Sequence, residues 1–272
     1  MRVYISVDVE GVAGVVDWDQ VRGESAAYHE MCRLTTLETN QAIEGAMAAG
    51  ATEIVVNDSH GPMRNLLPEL LHPVAELIQG RHKPMFMVEG LDESCDALFL
   101  VGYHGRAGSA RGVLNHTFSP YETRMNGVIC SEATLNAAVA GQYGVPIALV
   151  TGDDVTAAEA IADFGPEIVT VVTKQGINRV AARMVHPTVA RDRIRQGAEE
   201  AMRRAASLKP YTMATPVTME TQWNSSLHAD MVEMLPTVER TGDRSIRWVS
   251  PDAVTAYRTY IAAYLIARNA ER

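Results

Sequence analysis

The sequence contains few cysteines, few aromatic residues and no excess of positive charge. Its three cysteines, at positions 32, 95 and 130, are too few for a disulfide framework and include no Cys-x-x-Cys pair for structural zinc. The 33 acidic side chains outnumber the 24 basic ones, which gives a formal net charge of −9. This charge disfavours nucleic acids and anionic membranes as partners, because both attract basic surfaces.

Long apolar runs and a targeting segment are also lacking. No apolar stretch approaches the roughly 20 residues of a membrane-spanning helix. Met1 and Arg2 lead directly into a strand-like segment without the pattern of a signal peptide. Together with the sparse cysteines, these features predict a cytoplasmic protein with neither a membrane nor a nucleic-acid partner. The low aromatic content, 6%, predicts an aliphatic core.

Alternating strand-like and helical segments dominate the first two thirds of the chain. A strand, a long helix and a second strand within about 60 residues form a βαβ unit, so the strands should be parallel. We therefore predict an α/β fold with a largely parallel sheet and helices on both faces. The first predicted strand begins at Tyr4, and the other predicted strands span 53–58, 96–102, 146–151 and 168–172. Two predicted helices span 26–49 and 131–142, and a third ends near residue 164.

The remaining segments are less regular. The sequence predicts a loop over 12–25, a short helix over 66–71, a strand over 85–87, a strand-like piece over 112–117 and a turn or hairpin over 121–127. Beyond Lys174 it predicts helices over 189–206 and 225–234, a strand over 217–223, a hairpin over 238–249 and a last helix capped by Ser250. We predict a metal-binding α/β domain over 1–174 and a smaller α+β domain over 175–272, with middle segments assignable to either.

Metal-type side chains follow three of the predicted strands. Asp8 and Glu10 are two residues apart, so an extended backbone points both to one face. His60 and His104 follow the next two core strands, and the carboxyl ends of parallel strands share one edge of the sheet. Imidazole and carboxylate groups are the ligands that Zn²⁺ prefers. Each residue taken alone is more typical of an ordinary loop or solvated strand end than of a metal site.

Two further residues are candidates from other segments. Glu132 follows the predicted N-cap Ser131, where the helix dipole favours a carboxylate whether or not it binds a ligand. His116 lies in the strand-like piece after His104, where a semi-buried structural histidine is the plain alternative.

The order and spacing of these motifs resemble the M55 family of zinc-dependent D-aminopeptidases over essentially the whole chain. No single motif decides the resemblance, and the set is specific as a whole. The motifs are Ser6-Val7-Asp8-Val9-Glu10-Gly11, Val56-Asn57-Asp58-Ser59-His60, Gly102-Tyr103-His104, Asn115-His116, Glu132 with Leu135-Asn136-Ala137, and Thr151-Gly152-Asp153-Asp154.

The resemblance implies two zinc ions per subunit, with Asp8 shared between them and His116 as a catalytic residue that is not a ligand. The implied zinc ligands are Asp8, Glu10, His60, His104 and Glu132. One departure is the sequence Asn115-His116-Thr117, where the family pattern has Ser-His-Ser after a loop one residue shorter. All of the implied zinc ligands are still present, so this departure affects the expected substrate preference more than the expected activity.

The implied activity is hydrolysis of short peptides that begin with a D-residue such as D-alanine, by a water activated between the zinc ions. The resemblance also implies a homo-oligomer, a decamer by the family pattern, with active sites facing an inner cavity. Two other functions remain open from the residues alone. One is a different two-metal hydrolase, an amidase or phosphoesterase, and the other is a non-catalytic dipeptide-binding protein.

Overall fold

A computed structural model describes residues 1–270. The strands are β1 (Arg2–Val7), β2 (Glu53–Asp58), β3 (Ala75–Ile78), β4 (Ala97–Tyr103), β5 (Glu122–Met125), β6 (Val128–Ile129), β7 (Ile147–Asp153), β8 (Val169–Asn178), β9 (Ala181–Met184), β10 (Val217–Gln222), β11 (Glu239–Gly242) and β12 (Ser245–Ser250). The helices are α1 (Trp18–Val21), α2 (Ala26–Ala48), α3 (Glu132–Gln142), α4 (Asp154–Phe164), α5 (Pro187–Arg204), α6 (Ser226–Val232) and α7 (Ala253–Asn269).

The first sheet has the strand order β3-β2-β1-β4-β7-β8-β9. All neighbouring strands are parallel except β8 and β9. The central strands are apolar on both faces, as a sheet covered by helices requires. On β1, Val3, Ile5 and Val7 face the cluster formed with α2 and α5, whereas Tyr4 faces the cluster on the opposite side. The predicted α/β class with helices on both faces is confirmed.

The second sheet is antiparallel, in the order β11-β12-β10-β5-β6. It packs against α7, whose Tyr257 and Tyr260 are fully buried. The same hydrophobic cluster extends from Tyr4 in the first sheet through α3 and α7 to Trp248 in the second sheet and Trp223 directly after β10. Both sheets therefore share one continuous core.

The strands of the two sheets are interleaved along the chain, so no single point in the sequence divides one sheet from the other. The middle hairpin, β5 and β6, joins the second sheet, while β9 and α5 join the first sheet and its helical layer. The division into 1–174 and 175–272 stays a prediction. Within residues 1–270, no helix is both long and apolar enough to cross a bilayer.

Several irregular segments differ from the sequence predictions. Residues 66–71 form turns rather than a helix, because the backbone N–H groups of Asn65 and Leu66 donate to the Asp58 carboxylate. Residues 85–87 begin a 3₁₀ turn, Phe86–Val88, instead of a strand. Residues 112–117 form no strand, because the N–H groups of Val113 and Leu114 donate to other partners, Asp153 and the Arg179 carbonyl.

Two helix predictions also need correction. The predicted loop over 12–25 contains α1, which begins with a capping box formed by Asp17 and Gln20. The last helix is capped by Asp252 rather than Ser250, since the Asp252 side chain accepts the Thr255 N–H. Ser250 instead ends β12.

Candidate metal centre

The carboxyl ends of β1, β2 and β4 bring four of the predicted side chains together. Asp8 follows β1 directly, His60 lies two residues beyond β2, and His104 follows β4. Glu10 lies in the turn after β1. All four side chains are buried, and parallel pairing of β1 with both neighbours fixes their common position.

Glycines allow the ends of β1 and β4 to approach closely. The Asp8 N–H donates to the Val101 carbonyl and the Gly11 N–H donates to the Gly102 carbonyl, each at 2.8 Å. A Cβ atom on Gly102 would lie 2.3 Å from the Asp8 carbonyl oxygen, and Gly102 has a φ of +74°. Only glycine combines that backbone conformation with that proximity.

Glu132 and His116 reach the same centre from other elements. Glu132 is the first residue of α3, after the N-cap Ser131, and its Oε1 accepts the Phe118 N–H at 2.6 Å. His116 lies in the loop between β4 and β5, with its ring stacked on His104 at a centroid distance of 4.1 Å. All six predicted site residues therefore lie in one cluster.

Asp8 is shared between two groups of potential ligands. Its Oδ1 lies 3.1 Å from His60 Nδ1, which is also 3.2 Å from Glu10 Oε2. Its Oδ2 lies 3.4 Å from His104 Nε2, which is also 3.6 Å from Glu132 Oε2. Within each of these triads the ligand atoms lie within 4.8 Å of one another. The two oxygens of one carboxylate thus face two separate triads.

His116 adjoins both triads. Its Nε2 is 4.0 Å from Glu10 Oε1 and 3.8 Å from Glu132 Oε1. Glu10, His104 and His116 form a third group with metal-ligand spacing. The side chain of His116 is 24% exposed, whereas those of His104 and Asp8 are almost inaccessible. His116 therefore lies where the cluster meets the cavity above it.

Backbone carbonyls orient all three imidazoles. His60 Nε2 donates to Val21, His104 Nδ1 to Gly105 and His116 Nδ1 to Leu114, at 2.8, 2.9 and 2.9 Å. The other nitrogen of each ring points towards the carboxylates. Metal-binding histidines are held in this way in proteins, because a bond to one nitrogen leaves the lone pair of the other on the metal side.

Several buried atoms in the cluster have no hydrogen-bond partner within residues 1–270. They are Asp8 Oδ2, both carboxylate oxygens of Glu10 and His104 Nε2. Buried polar atoms are almost always satisfied, so a group of unsatisfied oxygens and an imidazole nitrogen indicates a site built to bind a cation. The donor set of carboxylate oxygens and imidazoles fits zinc.

The electrostatics of the cluster favour positive charge beside the carboxylates. Burial lowers the pKa of His60 and of His104, but the adjacent carboxylates outweigh burial and hold both values well above the usual range. Burial raises the pKa of Asp8, but the adjacent imidazoles of His104 and His60 outweigh burial and hold it well below the usual range. Burial and the nearby His104 lower the pKa of His116, which keeps its imidazole neutral at pH 7.

Known proteins resemble this chain in sequence and fold. The M55 peptidase family, described as D-aminopeptidase, matches residues 1–262. A D-aminopeptidase from Bacillus subtilis (strain 168) is 35% identical over 264 residues, which cover 96% of each chain. The chain belongs to the M55 D-aminopeptidase family.

A solved structure extends the similarity to the whole fold. The Zn-dependent D-aminopeptidase DppA from Bacillus subtilis, described as a self-compartmentalizing protease, superimposes with a TM-score of 0.95 at 33% identity. The alignment covers 99% of this chain and 98% of DppA. Membership of M55 confirms the family and the metallopeptidase class that the sequence predicted.

This M55 chain also uses a buried lysine that sequence reasoning did not assign. Lys174 is fully buried on β8, and its Nζ donates to the carbonyls of Glu10, Val12 and Val15 at 2.5, 2.8 and 2.7 Å. It therefore holds the turn that carries Glu10. The sequence contained no clear signal, because the predicted strand over 168–172 ended before Lys174 whereas the observed strand β8 includes it.

A cavity of about 960 Å³ opens over the metal centre. This volume suits a small ligand such as a short peptide. Besides residues of the centre, the lining includes Arg22, Glu24, Arg64, Phe118, Tyr264 and Arg268.

Proposed function

We propose that the protein removes the N-terminal residue from short peptides that begin with a D-amino acid such as D-alanine. The observation that carries the proposal is the pair of ligand triads that share Asp8. In this proposal Asp8, Glu10 and His60 hold one zinc ion, and Asp8, His104 and Glu132 hold the second. Zinc dependence of the similar DppA supports the choice of metal.

The chain's own residues divide the work of hydrolysis. Bound zinc supplies a polarised carbonyl and a water of lowered pKa. His116, neutral and partly exposed, takes up a proton at Nε2 and delivers it to the leaving amine. The cationic form of His116 then lies within 4.0 Å of Glu10 and Glu132, which stabilise it.

Family membership favours this activity over the alternatives of an amidase, a phosphoesterase or a non-catalytic dipeptide-binding protein. The preference for D-residues rests on the same membership.

We also propose that the chain forms a closed homo-oligomer, since DppA is described as self-compartmentalizing. Ile177, Val180 and Met234 are exposed apolar side chains that suit subunit contacts. The tyrosines Tyr257 and Tyr260 of α7 pack inside the subunit and are not available for such contacts. The decameric ring and the cytoplasmic location stay predictions.

The direct test is to incubate the zinc-loaded protein with matched D-alanyl and L-alanyl dipeptides and to measure the released alanine. We expect release from the D-peptide and none after removal of zinc by a chelator. The variant His116→Ala should keep its zinc and lose about 100-fold or more in kcat. Equal turnover of both enantiomers would refute the stereochemical part, and loss of zinc from the variant would make His116 a ligand.

A further inference from the structure

Arginine side chains line the cavity of a protein that is acidic overall. Arg22, Arg64 and Arg268 are among them, and within residues 1–270 none of these three forms an ion pair with a carboxylate. The metal centre at the base of the same cavity contains three carboxylates. The cavity thus combines the candidate metal centre with cationic walls, and unpaired guanidinium groups suit a ligand that carries an acid.

Arg22 is the arginine most firmly tied to the metal centre. It follows α1, and its guanidinium lies 4.2 Å from the ring centroid of Trp18, in the geometry of a cation–π contact. The preceding residue, Val21, accepts the hydrogen bond that orients His60. Arg22 is therefore fixed to the same short segment that positions a proposed zinc ligand.

Trp18 connects Arg22 to the catalytic side of the centre. Its ring meets His116 edge to face at 5.6 Å, and Arg179 stacks against it at 5.3 Å. Trp18 lies outside the cavity lining, whereas Arg22 is exposed and lines the cavity. The tryptophan thus acts as a support behind the guanidinium.

The separation fits the length of a short peptide. The two ring distances together place the Arg22 guanidinium no more than about 10 Å from the His116 ring. An extended chain spans at most about 3.3–3.6 Å per residue. A carboxylate one or two residues beyond the scissile bond therefore reaches Arg22 while the bond lies beside His116.

We propose that Arg22, supported by Trp18, binds the C-terminal carboxylate of the peptide. The inference rests on the proposed function and narrows its substrates to dipeptides and tripeptides with a free C-terminus. A planar guanidinium matches a carboxylate with two parallel hydrogen bonds, which a carboxamide cannot reproduce with the same strength. Arg268 is a weaker candidate, because it already donates to the Tyr264 hydroxyl at 3.1 Å.

The kinetic test compares a D-alanyl dipeptide with its C-terminal amide. The wild-type protein should prefer the acid by about tenfold or more in kcat/KM, mainly through KM. Arg22→Gln should lose this preference. Arg179→Gln is the matched control, because Arg179 stacks on the same Trp18 without lining the cavity, and it should keep the preference.

A binding test separates the inference from the proposed function. Isosteres in which CH₂–NH replaces the scissile amide are made as acid and amide, and their binding to the zinc-loaded protein is measured by calorimetry. The acid should bind to the wild type about tenfold more tightly than the amide does. The two isosteres should bind to Arg22→Gln with equal affinity. Equal binding of both forms to the wild type, or loss of the difference in Arg268→Gln alone, overturns the assignment. Acid preference without hydrolysis of any D-peptide would instead refute the proposed function.

Discussion

At the scale of single residues, Asp8 differs from the other side chains of the centre because it belongs to both triads. His60 Nδ1 lies 3.1 Å from its Oδ1, and His104 Nε2 lies 3.4 Å from its Oδ2. Glu132 belongs to one of the two Asp8-containing triads. Loss of Asp8 and loss of Glu132 should therefore have different consequences for metal content.

Asp8→Ala should bind no zinc, whereas Glu132→Gln should keep about one ion per chain, because each zinc site needs at least three protein ligands. The measurement is zinc per folded chain by mass spectrometry after dialysis. Glu38→Gln removes a buried carboxylate outside the centre and is the matched control, which should keep both ions. One zinc retained by Asp8→Ala would show that the two sites do not share this residue.

The sequence allowed only part of the centre to be predicted from residue types. Asp8, Glu10, His60 and His104 were expected to converge, since parallel strands place their carboxyl ends at one edge. The convergence of His116 and Glu132 was implied by family resemblance alone, because they lie on elements outside that edge. The contacts of Trp18 and Lys174 were missed, since His116 and Glu10 are distant from them in sequence and Trp18 lies on a helix of only four residues.

At the scale of elements, the end of β4 depends on a backbone conformation as well as on side chains. Gly102 combines a positive φ with close contact to the Asp8 carbonyl. Gly108 also has a positive φ, of +83°, but a Cβ atom there would meet nothing within 4 Å. Substitution of Gly108 therefore tests backbone strain alone, whereas substitution of Gly102 tests strain together with steric overlap.

Gly102→Ala should lower the free energy of unfolding by roughly 3 kcal/mol or more and reduce zinc content, because strain and steric overlap both act beside Asp8. Gly108→Ala should cost only about 1 kcal/mol and leave zinc content unchanged. Urea denaturation and metal analysis measure the two effects. An equal loss of stability in both variants would show that Gly102 is not required for the close packing of β1 against β4.

At the scale of the whole molecule, the central parallel strands could be predicted and the sheet edges could not. The strands β3 and β9 have only four residues each and include polar or charged side chains, so they lack the apolar runs of buried strands. The second sheet pairs β5 with β10, which are separated by more than 90 residues. Local patterns contain no information on such pairing, which is decided by the shared core around α7.

The buried carboxyl of Glu38 on α2 makes the stability of the fold depend on pH. Glu38 is 1% exposed, and its Oε1 accepts the Ala13 N–H at 2.9 Å. Burial raises the pKa of Glu38 from 4.5 to about 7. The folded protein therefore binds more protons than the unfolded chain between about pH 4.5 and 7, and its stability must fall as the pH rises through this range.

Glu38→Gln should remove this loss, because the amide keeps the acceptor for Ala13 and has no charge to bury. A shift of this size corresponds to as much as about 3 kcal/mol at pH 8. The measurement is the free energy of unfolding of both proteins from pH 5 to 8, taken as a difference so that the titration of the zinc-site histidines cancels. The difference should grow in favour of the variant as the pH rises. A constant difference would mean that Glu38 stays ionised in the fold, held by a cationic neighbour such as Lys174.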